Sequence, residues 1–172
     1  PGQKNALDHY WPDFGLDFRH EPLDIDEIGG EFKAFKLEIG IGNGDALIDM
    51  AENDTDSLYI GIEVHLPGIG RCLNNIHAKQ LANVRLISHD AIEVMQSMLP
   101  QQSLDRILLF FPDPWHKKRH HKRRIVNQQF RDLSYGLLKQ GGFLHFATDW
   151  QDYAEHMAAE MLSDKRFKNQ GN

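Results

Sequence analysis

Short apolar segments alternate with helical stretches along most of this chain, and this alternation constrains the fold more than any other feature. Five strands are predicted, at 34–39, 57–64, 84–88, 104–111 and 142–147. Helices are predicted at 45–52, 69–81, 91–98, 127–139 and 152–162, with Gly141 and Gly142 stopping the fourth. Strands that alternate with helices form a parallel sheet covered on both faces. The sequence therefore predicts a single α/β domain over 1–172, with 1–33 as an N-terminal helical extension and 34–172 as its core.

Acidic residues stand at the ends of the first three predicted strands. Glu38 begins the run Glu-Ile-Gly-Ile-Gly-Asn-Gly, Glu63 closes the second strand, and Asp90 follows the third. Ligands of parallel α/β sheets bind at the carboxyl ends of the strands. A dinucleotide fingerprint would need glycines at 40, 42 and 45, but residue 45 is aspartate, which would repel a pyrophosphate.

These acids suit a nucleoside ligand that lacks phosphate. Glu63 can bind both ribose hydroxyls, and Asp90 can accept a hydrogen bond from an adenine amino group. With Glu38, Gly40 and Gly42, they predict a pocket for S-adenosylmethionine. Two plainer interpretations stay open, a glycine-rich turn without a ligand and an Asp90 that merely caps a helix.

The fourth predicted strand runs into Phe-Phe-Pro-Asp-Pro-Trp at 110–115, followed by His-Lys-Lys-Arg-His-His-Lys-Arg-Arg, which we call the basic segment (116–124). Two prolines stiffen the turn and aim Asp113, while Trp115 offers a face to a base. Although the net charge is −6, a concentrated basic stripe can dock a polyanion. The alternative is a structural turn that leads into a solvated basic helix. Asp149, after the fifth strand, could cap a helix or contact substrate.

The histidines of the basic segment invite a metal hypothesis, which the sequence disfavours. His116 and His120 have i,i+4 spacing, but the His-Glu-x-x-His signature is absent. No metal is therefore expected, and the histidines are predicted to contact RNA. A single cysteine, Cys72, and the absence of a long apolar run or a secretion signal favour a cytoplasmic protein that does not enter a membrane. The oligomeric state, monomer or homodimer, stays open.

At these residues the chain resembles the bacterial tRNA (guanine-N7-)-methyltransferase family. The matching segments are LEIGIGNGD (37–45), GIEVHLPGIG (61–70), HDA (89–91), LFFPDPWHKKRHHKRR (109–124) and ATDW with its following YAEHM (147–157). The N-terminal GQKNAL and YWPDFGL are similar as well. The resemblance covers nearly the whole chain, and the segment around Asp113 is its most specific part.

The resemblance implies a Rossmann-like class I methyltransferase fold, with 34–172 as the catalytic core, and methyl transfer from S-adenosylmethionine to N7 of variable-loop guanine 46 of tRNA. Cofactor binding would fall to Glu38, Gly40, Gly42, Glu63, Asp90 and Asp113. Asp113 would be catalytic, and Lys117 and Asp149 would contact the substrate. The residues expected to contact RNA are Arg119, His120, His121, Lys122, Arg123 and Arg124. Because the family continues into a further C-terminal stretch, the last strand or strands are expected to be missing from this chain.

Three other functions compete with this expectation. An N6-adenine methyltransferase has an Asn/Asp-Pro-Pro-aromatic turn, and Asp113-Pro114-Trp115 lacks its second proline. A dinucleotide-dependent reductase is disfavoured by Asp45. A non-enzymatic RNA-binding domain would keep the basic segment but would not need the acids at Glu63 and Asp90.

Overall fold

The computed structural model describes residues 2–171 and has a five-stranded sheet at its centre. The strands are β1 (Ala34–Ile39), β2 (Ser57–Ile62), β3 (Val84–Ile87), β4 (Leu104–Phe110) and β5 (Leu138–Ala147). They lie in the order β3–β2–β1–β4–β5, and every neighbouring pair is parallel. The helices are α1 (Gly2–Phe14), α2 (Ile25–Gly29), α3 (Asp45–Asn53), α4 (Leu66–Ala78), α5 (Ala91–Ser97), α6 (Gln128–Leu137) and α7 (Gln151–Leu162), with a 3₁₀ helix at Lys118–Arg123. The predicted parallel α/β fold is confirmed.

Two apolar clusters, one on each face of the sheet, form the core. One cluster joins β2 and β3 to α3, α4 and α1 through buried residues such as Leu47, Leu73 and Ala6. The other joins β1 and β4 to α5, α6 and α7 through residues such as Met95, Phe130 and Tyr153. Such burial on both faces explains why the strands are continuous apolar runs rather than alternating ones.

The N-terminal helix α1 is part of this packing. Ala6 is buried against α4, and a Cβ on Gly70 of α4 would lie 2.7 Å from the carbonyl oxygen of Gln3. After α1, the Leu16 N–H donates to the Leu86 carbonyl of β3 at 2.8 Å. The segment before the sheet is therefore attached both to a helix and to the sheet edge.

The predicted helix at 69–81 was wrong by three residues at each end, since α4 spans Leu66–Ala78. Pro67 lies in the first turn, where its missing N–H costs no hydrogen bond. The helix ends where Gln80 takes a left-handed conformation (φ 54°) and the Leu81 N–H donates back to the Ile76 carbonyl. Because the left-handed residue is glutamine rather than the usual glycine, the sequence contains no signal for the end of α4.

Gly141 and Gly142 do not stop a helix as predicted. The helix α6 ends at Leu137, and β5 begins at once with Leu138 beside Leu104 of β4. The two glycines lie inside β5, where the register shifts between Leu104 and Arg106 and Gly141 has a φ of 83°. They accommodate an irregularity in the strand. Strand order reverses between β1 and β4, and this switch point positions the site described next.

Candidate active site

The five acids singled out in the sequence follow, or end, five parallel strands and so lie along one edge of the sheet. Backbone hydrogen bonds tie these strand ends together: Gly40 N–H donates to Ile62, Glu63 N–H to Ile87, and Phe111 N–H to Ala147, at 2.7–3.1 Å. Across the sheet, the edge thus carries Asp90, Glu63, Glu38, Asp113 and Asp149, in the order of their strands. This is where doubly wound sheets bind ligands.

The glycine-rich loop after β1 has a left-handed backbone at three positions. Gly40, Gly42 and Gly44 all have positive φ, at 71°, 59° and 81°. A Cβ on Gly40 or Gly42 would point into open space, whereas one on Gly44 would lie 2.3 Å from Sγ of buried Cys72. The first two glycines therefore leave room beside the loop, and the third packs the loop against α4.

This contrast predicts different costs for two similar substitutions. Gly42→Ala should cost only the strain of a left-handed backbone, about 1 kcal/mol. Gly44→Ala adds a clash with Cys72 inside a packed core, so we expect it to lower the unfolding free energy by about 2 kcal/mol more. Urea unfolding of both variants measures the difference. Equal destabilisation would contradict the packing role of Gly44.

Glu38 is the buried acid of this edge. The residue is 3% exposed, and its Oε1 atom has no hydrogen-bond partner among the described residues. Burial, assisted by the negative charge of Glu63, raises the pKa of Glu38 to about 7. A buried acceptor without a partner is costly, so this atom suits a cationic or N–H group of a ligand.

Glu63 holds the glycine-rich loop in place. Its Oε2 accepts the Gly42 N–H at 2.7 Å, and its Oε1 accepts the N–H groups of Val64 and His65 at 2.9 and 3.1 Å. In this arrangement Oε2 keeps one lone pair for a further donor. The sequence predicts that Glu63 binds both ribose hydroxyls. For this, a hydroxyl would have to replace a backbone N–H group as a donor to Oε1.

Asp90 combines the two roles that the sequence left open. It is the N-cap of α5, with Oδ1 accepting the Glu93 N–H at 3.0 Å. Its second oxygen accepts no hydrogen bond within residues 2–171, and the side chain is exposed. The cap fixes the carboxylate and leaves one oxygen for a ligand.

Apolar side chains that the sequence analysis did not single out lie beside these acids. Val64 and Leu66, just after β2, are 65% and 52% exposed. A cavity of about 350 Å³ opens next to Leu66 and is also lined by Trp11, Phe18 and Ser88. Exposed aliphatic groups next to an acid that is predicted to bind hydroxyls can cover the faces of a flat ring. The sequence offered no signal for this, because Val64 was assigned to a strand.

The turn after β4 is strained and tightly organised. Phe111 and Trp115 have left-handed φ values of 51° and 46°, which aromatic residues rarely adopt. Oδ1 of Asp113 accepts the Trp115 N–H at 2.9 Å, while Asp113 itself is exposed. Strain of this kind concentrates at functional sites. Phe111 is 65% exposed beside Asp113 and is a candidate stacking residue that the sequence analysis missed.

The basic segment packs back on this turn. Residues Lys118–Arg123 form a 3₁₀ helix with no buried side chain. The guanidinium of Arg123 lies 4.9 Å from the centre of the Trp115 ring, and the His120 ring meets the same indole edge-on at 5.9 Å. One part of the predicted stacking surface of Trp115 is therefore occupied by the protein's own cation.

The burial of Arg124 contradicts the prediction that this residue contacts RNA. It is only 2% exposed, with Nε donating to the Pro114 carbonyl at 2.7 Å and a terminal nitrogen donating to Asp152 Oδ2 at 2.6 Å. A guanidinium committed to these partners is not available to a phosphate. The exposed cations of the segment are Lys117, Lys118, Arg119, Lys122 and Arg123. His121 is half-buried, with Nε2 3.8 Å from Asp152.

The turns after β4 and β5 meet through aromatic contact. The His116 ring packs edge-on against Trp150, with ring centres 4.1 Å apart. The N-cap of α7 is Trp150, so Asp149 does not cap that helix. Asp149 directly precedes Trp150 in the chain, and its side chain is exposed.

The two histidines with i,i+4 spacing, His116 and His120, contact different indoles. Within residues 2–171, no three His, Cys, Asp or Glu side chains are grouped to hold a metal ion. None of the described helices is long and apolar enough to span a bilayer.

Comparison with known proteins gives this arrangement a family. Residues 33–172 match a family model described as "Putative methyltransferase". A tRNA (guanine-N(7)-)-methyltransferase from Cronobacter sakazakii is 48% identical over 168 residues, which are 98% of this chain and 70% of the relative. The protein of the same name from Yersinia pestis is 50% identical over the same shares.

Solved structures support the fold alone. A precorrin-6y C5,15-methyltransferase from Geobacter metallireducens superimposes with a TM-score of 0.62 at 14% identity, covering 94% of this chain and 69% of the other. The 16S rRNA methyltransferase KamB gives 0.61 at 12% identity, covering 81% and 72%. The fold is thus that of Rossmann-like methyltransferases. With about half of its residues identical to the curated relatives over nearly its whole length, the chain belongs to the tRNA (guanine-N(7)-)-methyltransferase family.

Proposed function

We propose that this chain transfers a methyl group from S-adenosylmethionine to N7 of a guanine in tRNA, and that the target is the variable-loop guanine at position 46. One observation carries the proposal: Glu38, Glu63 and Asp90 share a sheet edge with Asp113, and the basic segment with its five exposed cations begins three residues later. A cofactor pocket and a polyanion surface therefore meet at the strained turn. We place the reaction in the cytoplasm, consistent with a single cysteine.

The residues of the pocket fit S-adenosylmethionine by their chemistry. The unpartnered Oε1 of Glu38 suits the ammonium of a methionine moiety, and Gly40 and Gly42 leave open space for close approach. Glu63 and Asp90 keep acceptors for ribose and adenine. When bound, the cofactor supplies an electrophilic methyl group on a sulfonium.

The protein's own task is mainly one of positioning. Guanine N7 has an in-plane lone pair, so no proton must be removed before attack, and alignment is the chief source of rate enhancement. Positive charge grows on the guanine during transfer, and the fixed carboxylate of Asp113 stabilises that charge more than the neutral base. Asp113 and Asp149 can also accept from the guanine N1–H and amino group, and Phe111 can stack on the ring.

The test is methylation of tRNA with radiolabelled S-adenosylmethionine, followed by borohydride and aniline cleavage, which cuts at N7-methylguanosine. We expect one cut at position 46, and no incorporation into a tRNA carrying adenine there. Label in N6-methyladenine would support the rival adenine methyltransferase. Binding of tRNA without any incorporation would support a non-enzymatic RNA-binding domain.

The basic segment predicts a steep salt dependence of tRNA binding. If its five exposed cations each meet a phosphate, the log–log slope of affinity against salt should be about −4. Arg119→Ala should reduce the slope by about 0.8. Lys33→Ala is the control, because Lys33 is 80% exposed and precedes β1 at the opposite edge of the sheet. A salt response that is flat, or equal in the two variants, would remove the segment from the interface.

A further inference from the structure

Arg124 differs from its neighbours in what its guanidinium does. The other five cations of the basic segment are exposed, whereas Arg124 is 2% exposed and bonded on two sides. Nε donates to the Pro114 carbonyl at 2.7 Å, and a terminal nitrogen donates to Asp152 at 2.6 Å. The rigid fork of arginine allows both bonds at once.

The second bond anchors this fork to α7. The guanidinium lies 4.6 Å from the centre of the Tyr153 ring, which is fully buried in the core. Two residues after Arg124, the Val126 N–H donates to the Tyr153 hydroxyl at 3.5 Å, and the Val126 carbonyl lies 2.8 Å from His156 Nε2. Arg124 is thus held against helix α7.

The first bond reaches the turn that carries Asp113. Pro114 lies between Asp113 and Trp115, whose own hydrogen bond closes the turn. Across the described part of the chain, Arg124 makes the one hydrogen bond from a distant side chain to residues 112–116. The neighbouring residues Phe111 and Trp115 are in left-handed conformations that relax unless the surroundings hold them.

We propose that Arg124 is a positioning residue, which braces the Pro114 carbonyl against Asp152 and Tyr153 and thereby fixes where the Asp113 carboxylate points. It does not bind RNA. The kinetic part of this proposal rests on the proposed methyl transfer, because Asp113 then acts beside the guanine. A lysine at this position could not replace the brace, since its single ammonium lacks the fork that spans both acceptors.

The kinetic experiment compares Arg124→Ala and Arg124→Lys with Arg123→Ala. For both Arg124 variants we expect kcat to fall by roughly ten- to a hundredfold, because small misplacements of reacting groups have effects of this size. The KM for tRNA and the salt slope should stay near those of the parent, and added guanidinium should partly restore Arg124→Ala. In Arg123→Ala the slope should fall by about 0.8. If Arg124→Ala lowers the slope and leaves kcat unchanged, Arg124 is a phosphate contact and the proposal fails.

A second readout does not depend on activity. The chain has three tryptophans, so 5-fluorotryptophan labelling gives three ¹⁹F resonances, and Trp115→Phe identifies that of Trp115. We expect the Trp115 resonance to shift in Arg124→Ala and in Asp152→Ala, which removes the oxygen that accepts from Arg124, while the Trp11 resonance stays in place. Asp152 is 58% exposed, so its variant tests the brace even if Arg124→Ala does not fold. An unmoved Trp115 resonance overturns the brace, whereas a shifted one in a protein that methylates no tRNA upholds it and rejects only the proposed function.

Discussion

An Asp113→Asn variant is expected to transfer methyl groups about a hundred- to a thousandfold more slowly than the parent, with its affinity for S-adenosylmethionine within about threefold. The asparagine oxygen can still accept the Trp115 N–H, so the turn keeps its internal hydrogen bond. What the variant loses is the negative charge that, in the proposed mechanism, stabilises the growing positive charge on guanine, and the loss of one such electrostatic partner has effects of this size. Single-turnover rates and calorimetric titration with the cofactor separate the two quantities.

The matched control is Asp149→Asn, which removes the same charge from the exposed acid of the neighbouring turn. We expect a smaller fall, because no hydrogen bond within the described chain fixes Asp149 in the way that Trp115 fixes Asp113. Loss of cofactor binding in Asp113→Asn would make Asp113 a binding residue and contradict the catalytic role. A nearly normal rate would place the stabilising charge elsewhere.

The second large effect is a dependence of stability on pH that originates at Glu38. Its pKa is about 7 in the folded protein against an ordinary 4.5, so between these values the folded state binds more protons than the unfolded state. The favourable contribution of the neutral carboxyl is complete below pH 4.5 and is lost as the pH rises through 7. The unfolding free energy should therefore fall by on the order of 3 kcal/mol between pH 5 and pH 8.

Denaturant unfolding of the parent and of Glu38→Gln at several pH values measures this contribution. Glutamine is neutral and similar in shape, so the variant should lack the decline and be the more stable protein at pH 8. A bound cation beside Glu38 favours the ionised form, so cofactor binding should release protons near pH 7. Parallel curves for the parent and the variant would show that Glu38 does not titrate in this range.

The strand-end acids were predictable because topology alone places them. Once a chain alternates strands and helices, the strands must be parallel and their carboxyl ends must share an edge. Glu38, Glu63, Asp90, Asp113 and Asp149 therefore needed no knowledge of side-chain contacts to be grouped. The division of Asp90 between helix cap and ligand acceptor was not predictable, since it depends on which carboxylate oxygen faces α5.

The sequence alone could not predict which cations of the basic segment are exposed and which are buried. Arg123 and Arg124 are adjacent and chemically identical, yet one is exposed and stacks on Trp115 while the other is buried. The difference arises from Asp152 and Tyr153, 28 and 29 residues further along the chain, and from the register of the 3₁₀ helix. Composition can locate a cationic surface, but only tertiary contacts decide which cations belong to it.

The left-handed Phe111 and Trp115 set a limit on how stable this protein can become without losing speed. Each such residue stores on the order of 1–3 kcal/mol of strain, and glycine at either position would release it. Selection for heat resistance alone would therefore favour glycine in this turn. Selection for turnover opposes that change, because a relaxed turn lets the Asp113 carboxylate swing. Two bulky aromatic residues in this backbone conformation therefore exchange part of the folding stability for a fixed position of the Asp113 carboxylate.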